Sequence, residues 1–453
     1  MIPFKFVEYI RQFIDSNGLD TEIRKANINI SAELEEFGKI FISVAKQSTS
    51  AKFLIPPDET YPDWDLDVYP KEFKALMDDK NRLFCGRDFV FEAIRDFVEK
   101  EKKGYFTVIG DAGMGKSAIA AQYVLRYKCP CYFNVFTEGR NKPEKFLASI
   151  RQQLIKRYSL QNAETDNLQT LLQKTSEELK GQKLVIVVDA LDEVKQKENS
   201  NLLDLPQILP DGIYFLLTRR PYNQKTKRLN LSPETHSDEL DLRIHKYQIL
   251  SQEDVKEYLQ LFLENDKNDK NKLSNWLEER KIYDDIFIQE VVVKSENNFM
   301  YLRYVLPAIA NGEYDDLKLS DFPKGLTDYY NSHWDRMKMK DKNKEIEVFV
   351  LFILMQSNTS PTCKIITEII KKKEEFKEVE ELEVERILAG WCEYLKEQKI
   401  EEEVCYSIFH ASFLDFLRKK VELKENRKIF EDIKKNMNIF LYRNDEINKI
   451  LNS

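Results

Sequence analysis

Eight residues, GDAGMGKS from Gly110 to Ser117, constrain this chain more than any other stretch. They follow the apolar run YFTVIG and precede AIAAQYVLRY, whose apolar residues recur at helical spacing. GxxxxGK[ST] at a strand-to-helix junction is the pattern of a phosphate-binding loop. Its glycines let backbone N–H groups converge on a phosphate, its lysine adds a point charge, and its hydroxyl is a ligand for Mg²⁺. The reading gives Gly110, Asp111, Ala112, Gly113, Met114, Gly115, Lys116, Ser117 and Ala118 to ATP or ADP, with Ser117 also on Mg²⁺. An ordinary glycine-rich turn is a poor rival where glycine is only 13 of 453 residues.

From about Asn81 to Ile249 apolar runs alternate with amphipathic stretches: YFTVIG, CYFNVF, KLVIVVDAL, IYFLLTRR and IHKYQIL. That alternation predicts an α/β fold, a parallel sheet with helices on both faces. LVIVVDALDEV places Asp189 at a strand tip, within reach of a Mg²⁺ shell, as in a Walker B strand. Asp192 and Glu193 crowd further carboxylates beside it, which repel one another unless a cation or an activated water favours them. Glu193 is the candidate for polarising the attacking water and Asp192 for supporting the metal shell; a solvated acidic loop is the plainer reading. The run IYFLLTRRP ends in Arg219 and Arg220, either of which could reach a γ-phosphate or lie on the surface. In LFCGRD the turn at Gly86 and Arg87 could meet an adenine edge through its backbone, or be an ordinary turn. In CYSIFHASFLDFL, His410 sits between an apolar strand and a helix; alone, such a histidine is more often structural than a ligand.

The length implies several domains. The balance of 70 Lys+Arg against 78 Asp+Glu, net charge -8, argues against wholesale coating of nucleic acid or an acidic membrane. The six cysteines are dispersed and MIPFKFVEYIR lacks a signal-peptide apolar core, so a cytoplasmic location is expected. Cys129 and Cys131 have no second Cys/His pair to complete a metal site and read as strand thiols. The longest apolar runs, such as VFVLFILM from Val348 to Met355, are far short of the ~20 residues that span a bilayer.

Residues 1–80 read as a mostly helical segment, with helices near Phe6–Ile14 and Ser31–Gln47, then the Pro-rich connector IPPDETYPDWDLDVYP. Residues 81–250 are the nucleotide-binding domain, and 251–340 a helical domain that Ser251 is expected to cap. Within 341–420, helices at Glu345–Gln356, Thr362–Lys373 and Glu381–Leu395 precede the short alternating stretch EVCYSIF and a further helix, the order of a winged helix. Residues 421–453 read as a helical tail.

Together CGRD, GDAGMGKS, VVDALDE, LLTRRP and FHASFLDFL resemble the NACHT branch of the STAND NTPases, over residues 81–420. SENNFMYLRYVLPAI and FPKGLTDYYNSHW are similar to the helical region of prokaryotic members. The resemblance implies a sheet followed by a helical lid and a winged helix, with Arg220, before proline, as the γ-phosphate arginine. It also implies that His410 touches the β-phosphate of ADP and holds a closed state. Such proteins are slow regulatory ATPases, closed with ADP and self-associating with ATP; some are antiphage sensors. This sequence departs from the pattern in showing no recognisable effector or repeat sensor, so it is expected to be a fragment of a larger receptor or to rely on partner proteins. Two rivals stay open, a winged-helix ATP-dependent transcription regulator and an AAA-type mechanical ATPase. Against the first, EEFKEVEELEVER on the approach to the third helix is acidic, making nucleic acid an unlikely partner.

Overall fold

The apolar runs around the phosphate-binding loop assemble into one parallel sheet. The computed structural model describes residues 69–420 and 423, apart from 136–137, 195, 197–199, 222–228, 269–271, 315–317, 358–359 and 401–402. The helices expected before residue 48 and after residue 423 lie outside the described residues. Helices α1 (Lys71–Asn81) and α2 (Asp88–Lys100) come first, then β1 (Gly104–Ile109), α3 (Lys116–Tyr127) and β2 (Cys131–Phe133). Next are α4 (Pro143–Tyr158), α5 (Leu168–Leu179), β3 (Leu184–Asp189), β4 (Ile213–Arg219) and β5 (His236–Asp241).

The strand order is β2-β3-β4-β1-β5, all parallel. The loop strand β1 and the Walker B strand β3 are therefore not neighbours: β4 lies between them, which puts the end of β4 between the phosphate loop and the acids. Strands β1 and β4 are buried throughout. Their near-continuous apolar sequence is what two covered faces require. The fifth strand differs from the expectation. It is HSDELD, and IHKYQIL instead enters helix α6 (His245–Asn268). β5 is an edge strand with its first four residues exposed, so backbone pairing with β1 forms it without any apolar run. Ser251 consequently lies inside α6 rather than at its cap.

Helix α1, which the sequence assigns to the segment before the domain, packs onto it. Phe73 is buried with its ring 5.6 Å from Tyr132 and 5.5 Å from Phe133, edge-on, and Tyr69 Oη donates to Cys129 O at 2.8 Å. Cys129 and Cys131 are buried free thiols.

Beyond the sheet, α6 is followed by α7 (Lys272–Glu279), α8 (Asp284–Ser295), α9 (Phe299–Ala310) and α10 (Gly325–Arg336). Then come α11 (Glu345–Gln356), α12 (Cys363–Ile370), α13 (Glu381–Gly390), the hairpin β6 (Leu395–Ile400) with β7 (Glu403–Ile408), and α14 (Ala411–Lys419). The third of these last helices stops short of Leu395 because LKEQKI pairs antiparallel with EVCYSI. The boundary read at residue 340 falls inside one continuous apolar core. In it Tyr304 lies 5.4 Å from Tyr394, and Tyr394 stacks on Phe413 at 4.6 Å. Among the described residues no helix is long and apolar enough to cross a membrane.

Candidate nucleotide-binding site

Between β1 and α3 the loop turns on Gly113 and Gly115, at φ 86° and 85°. That left-handed conformation is open to glycine at little cost. Lys116 is buried, its Nζ donating to Asp111 O at 2.8 Å. Burial lowers its pKa to about 8 against the pull of Asp192 and Asp189. An ammonium enclosed in this way lacks its full hydration and favours an anion.

Asp189 ends β3 fully enclosed, and burial raises its pKa although Thr218 and Ser117 hydroxyls hydrogen-bond it. Thr218, on β4, donates to Asp189 Oδ1 while accepting from Ala190 N at 3.0 Å, and so fixes the carboxylate. Asp192 takes Arg220 N at 2.9 Å and Arg220 Nε at 2.6 Å. Burial alone would raise its pKa, but the guanidinium holds it below the usual carboxylate range. Arg220 Nη1 also bonds Asp415 of α14, so this one side chain joins the sheet domain to the C-terminal helices. Arg219 leads the other way, to Glu239 on β5 at 2.9 Å. Of the two arginines only Arg220 lines the cavity; adjacent strand residues face opposite sides.

That cavity holds about 640 Å³, within the range of small-ligand sites. Ala112, Gly113, Gly115, Lys116, Ser117 and Ala118 form one wall, with Asp189, Asp192 and Glu193 beside them. Leu83, Phe84, Cys85 and Arg87 also line the cavity. Gly86 turns away: a Cβ there would come within 2.2 Å of Asp254 Oδ1 on α6. The Arg87 side chain is 2% exposed and committed to protein partners, Ser251 Oγ at 2.6 Å and Met114 O at 2.8 Å.

The cavity is also lined by His410, which the sequence singled out, and by Lys80 and Arg303, which it did not. His410 caps α14, its Nδ1 accepting from Ser412 N at 3.2 Å. Nε2 is then the protonated nitrogen of the neutral ring. Burial, reinforced by Lys80, Lys116, Arg220 and Arg303, holds His410 well below its ordinary pKa, so it is neutral and its Nε2–H is available as a donor. Lys80 of α1 lies over the Phe409 ring, 5.2 Å to its centre. Asp79 beside it forks onto Arg303 of α9 at 2.7 and 2.8 Å. Burial opposes ionisation of Asp79, yet Arg303 and Lys80 bring its pKa down to about 2. No local pattern flags Lys80 or Arg303, whose importance depends on contacts over long sequence distances.

The donor set fits Mg²⁺: the Ser117 hydroxyl meets the Asp189 carboxylate directly, and a hard cation takes oxygen ligands. An enclosed lysine, a glycine cradle and a histidine N–H around one cavity likewise fit the phosphates of a nucleotide.

Residues 2–51 match the family described as NACHT N-terminal helical domain 5, and residues 98–221 match one described as AAA domain. Both matches are consistent with a NACHT-type STAND NTPase. No curated protein matches its sequence. Solved structures similar to this chain include Drosophila ORC bound to DNA, 11% identical over 77% of this chain and 98% of that one, TM-score 0.35. A STAND protein with a tetratricopeptide repeat sensor from Pyrococcus horikoshii is 14% identical over 75% of this chain and 43% of that one, TM-score 0.38. Cdc6p from Pyrobaculum aerophilum is 12% identical over 82% of this chain and 98% of that one, TM-score 0.29. The chain thus spans less than half of the Pyrococcus protein.

Proposed function

We propose that this chain is a cytoplasmic ATP/ADP switch in antiviral defence, in which slow ATP hydrolysis controls domain opening and self-association. One observation carries the reading: the cavity that receives Lys116 and Asp189 also receives His410, and Arg220 beside it is bonded to Asp415. Two parts of the chain far apart in sequence therefore meet where a nucleotide's phosphates would lie. We read α11–α13 with the β6–β7 hairpin as a winged-helix domain that does the moving.

In this reading the loop N–H groups and Lys116 grip the β-phosphate. Ser117 and Asp189 would hold Mg²⁺, which neutralises charge on the phosphate oxygens. Glu193 orients a water for in-line attack on the γ-phosphorus and takes its proton, giving ADP and phosphate. A γ-phosphate competes with Asp415 for the Arg220 guanidinium, loosening α14 and favouring the open form. After hydrolysis the Arg220–Asp415 pair re-forms, and His410 donates Nε2–H to the remaining β-phosphate. ADP thereby favours the closed form because only that form makes both contacts.

The test is the nucleotide content and mass of the purified chain. ADP in a monomer is expected, with ATP and Mg²⁺ driving assembly and Lys116→Ala emptying the site. An empty native site, or a mass indifferent to nucleotide, would overturn the proposal.

A further inference from the structure

A loop that presents its N–H groups to a phosphate must find partners for its carbonyls elsewhere. Here four consecutive carbonyls each have one. Asp111 O accepts from Lys116 Nζ at 2.8 Å, Ala112 O from Asn298 Nδ2 at 2.9 Å, Gly113 O from Phe299 N at 2.9 Å, and Met114 O from Arg87 Nη2 at 2.8 Å. Only the first donor belongs to the loop. Two of the others start helix α9, and Arg87 is itself anchored on α6 through Ser251.

Asn298 faces both ways. Its Oδ1 caps α9, accepting from Met300 N at 3.1 Å and Tyr301 N at 3.2 Å, while Nδ2 holds the loop. The approach is close: a Cβ on Gly113 would lie 2.0 Å from Asn298 Oδ1, a second reason for glycine there besides its φ. Two non-glycine residues at positive φ, Glu296 and Asn297 at 51° and 60°, bring Asn298 into place. Such backbone is costly and is kept where surrounding contacts over-determine it.

We propose that Asn298 is a positioning residue for the nucleotide, holding the phosphate-binding loop in shape from the helical region. The inference rests on the nucleotide-binding reading above. Nucleotide affinity then depends on α9 staying docked, and undocking it releases nucleotide with every loop residue intact.

Asn298→Asp separates the two roles in the 453-residue chain. Aspartate caps a helix as well as asparagine, but it sets a second oxygen against Ala112 O where a donor stood. Calorimetric titration with ADP should show Kd weakened by at least roughly tenfold, while the nucleotide-free melting temperature is retained. Asn298→Ser keeps a cap without the donor or the opposed oxygen and should fall between, which also serves if the aspartate variant does not fold. Native ADP affinity in the folded variants would overturn the inference alone, as would a loss of affinity matched by an equal loss of nucleotide-free stability. A native chain that binds no ADP overturns the nucleotide reading and this inference with it.

Discussion

Replacing Asp415 with alanine should speed ADP release by roughly 5- to 30-fold. Asp192 holds the Arg220 guanidinium from within the sheet domain and Asp415 holds it from α14. The Arg220 and Asp415 side chains are 23% and 35% exposed, so solvent screens the pair in part. A sheltered charge-assisted hydrogen bond contributes about 1.5–3 kcal/mol, and this exposure lowers the expectation to about 1–2 kcal/mol. Arg220 keeps Asp192 after the substitution, so no buried charge is orphaned and the local fold should persist. The assay is stopped-flow release of a fluorescent ADP chased by excess unlabelled nucleotide, repeated in an Arg220→Met background. If the acceleration comes from this pair, it disappears in that background and shrinks at high salt. An unchanged off-rate in Asp415→Ala, or the same acceleration with and without Arg220, would refute the reasoning.

Glu193→Gln should slow phosphate release by about a hundredfold or more while leaving ATP affinity close to native; hydrolysis at the native rate would remove Glu193 from its role as base. His333 gives a pH prediction. Burial, then the Arg336 guanidinium, lowers its pKa to about 4 from an ordinary 6.5. Between those values the unfolded chain binds a proton that the folded chain does not, so stability is complete above pH 6.5 and is lost as pH falls toward 4, by about 3 kcal/mol. Urea unfolding at pH 5 and pH 7 should show this, and His333→Gln should flatten the difference; an equal slope in the variant would assign the acid sensitivity elsewhere.

The sequence by itself determined what depends on contiguous residues. A phosphate cradle is a local backbone shape, so GDAGMGKS announces it, and the runs LVIVVD and IYFLLTR are readable as strands because both their faces are covered. What the tertiary structure decided depends on pairings between distant segments. The polar edge strand HSDELD exists because its backbone pairs with β1, and no side-chain pattern encodes that. Arg220 rather than Arg219 lines the cavity because adjacent residues at the end of β4 face opposite sides, and packing against Asp192 and Asp415 on one side and Glu239 on the other decides which looks inward. Lys80, Arg303 and the loop-facing amide of Asn298 have their surroundings only after α1 and α9 close around the site. Short-range geometry wrote the phosphate loop into the sequence, whereas the groups that hold that loop and face it come together only through long-range packing.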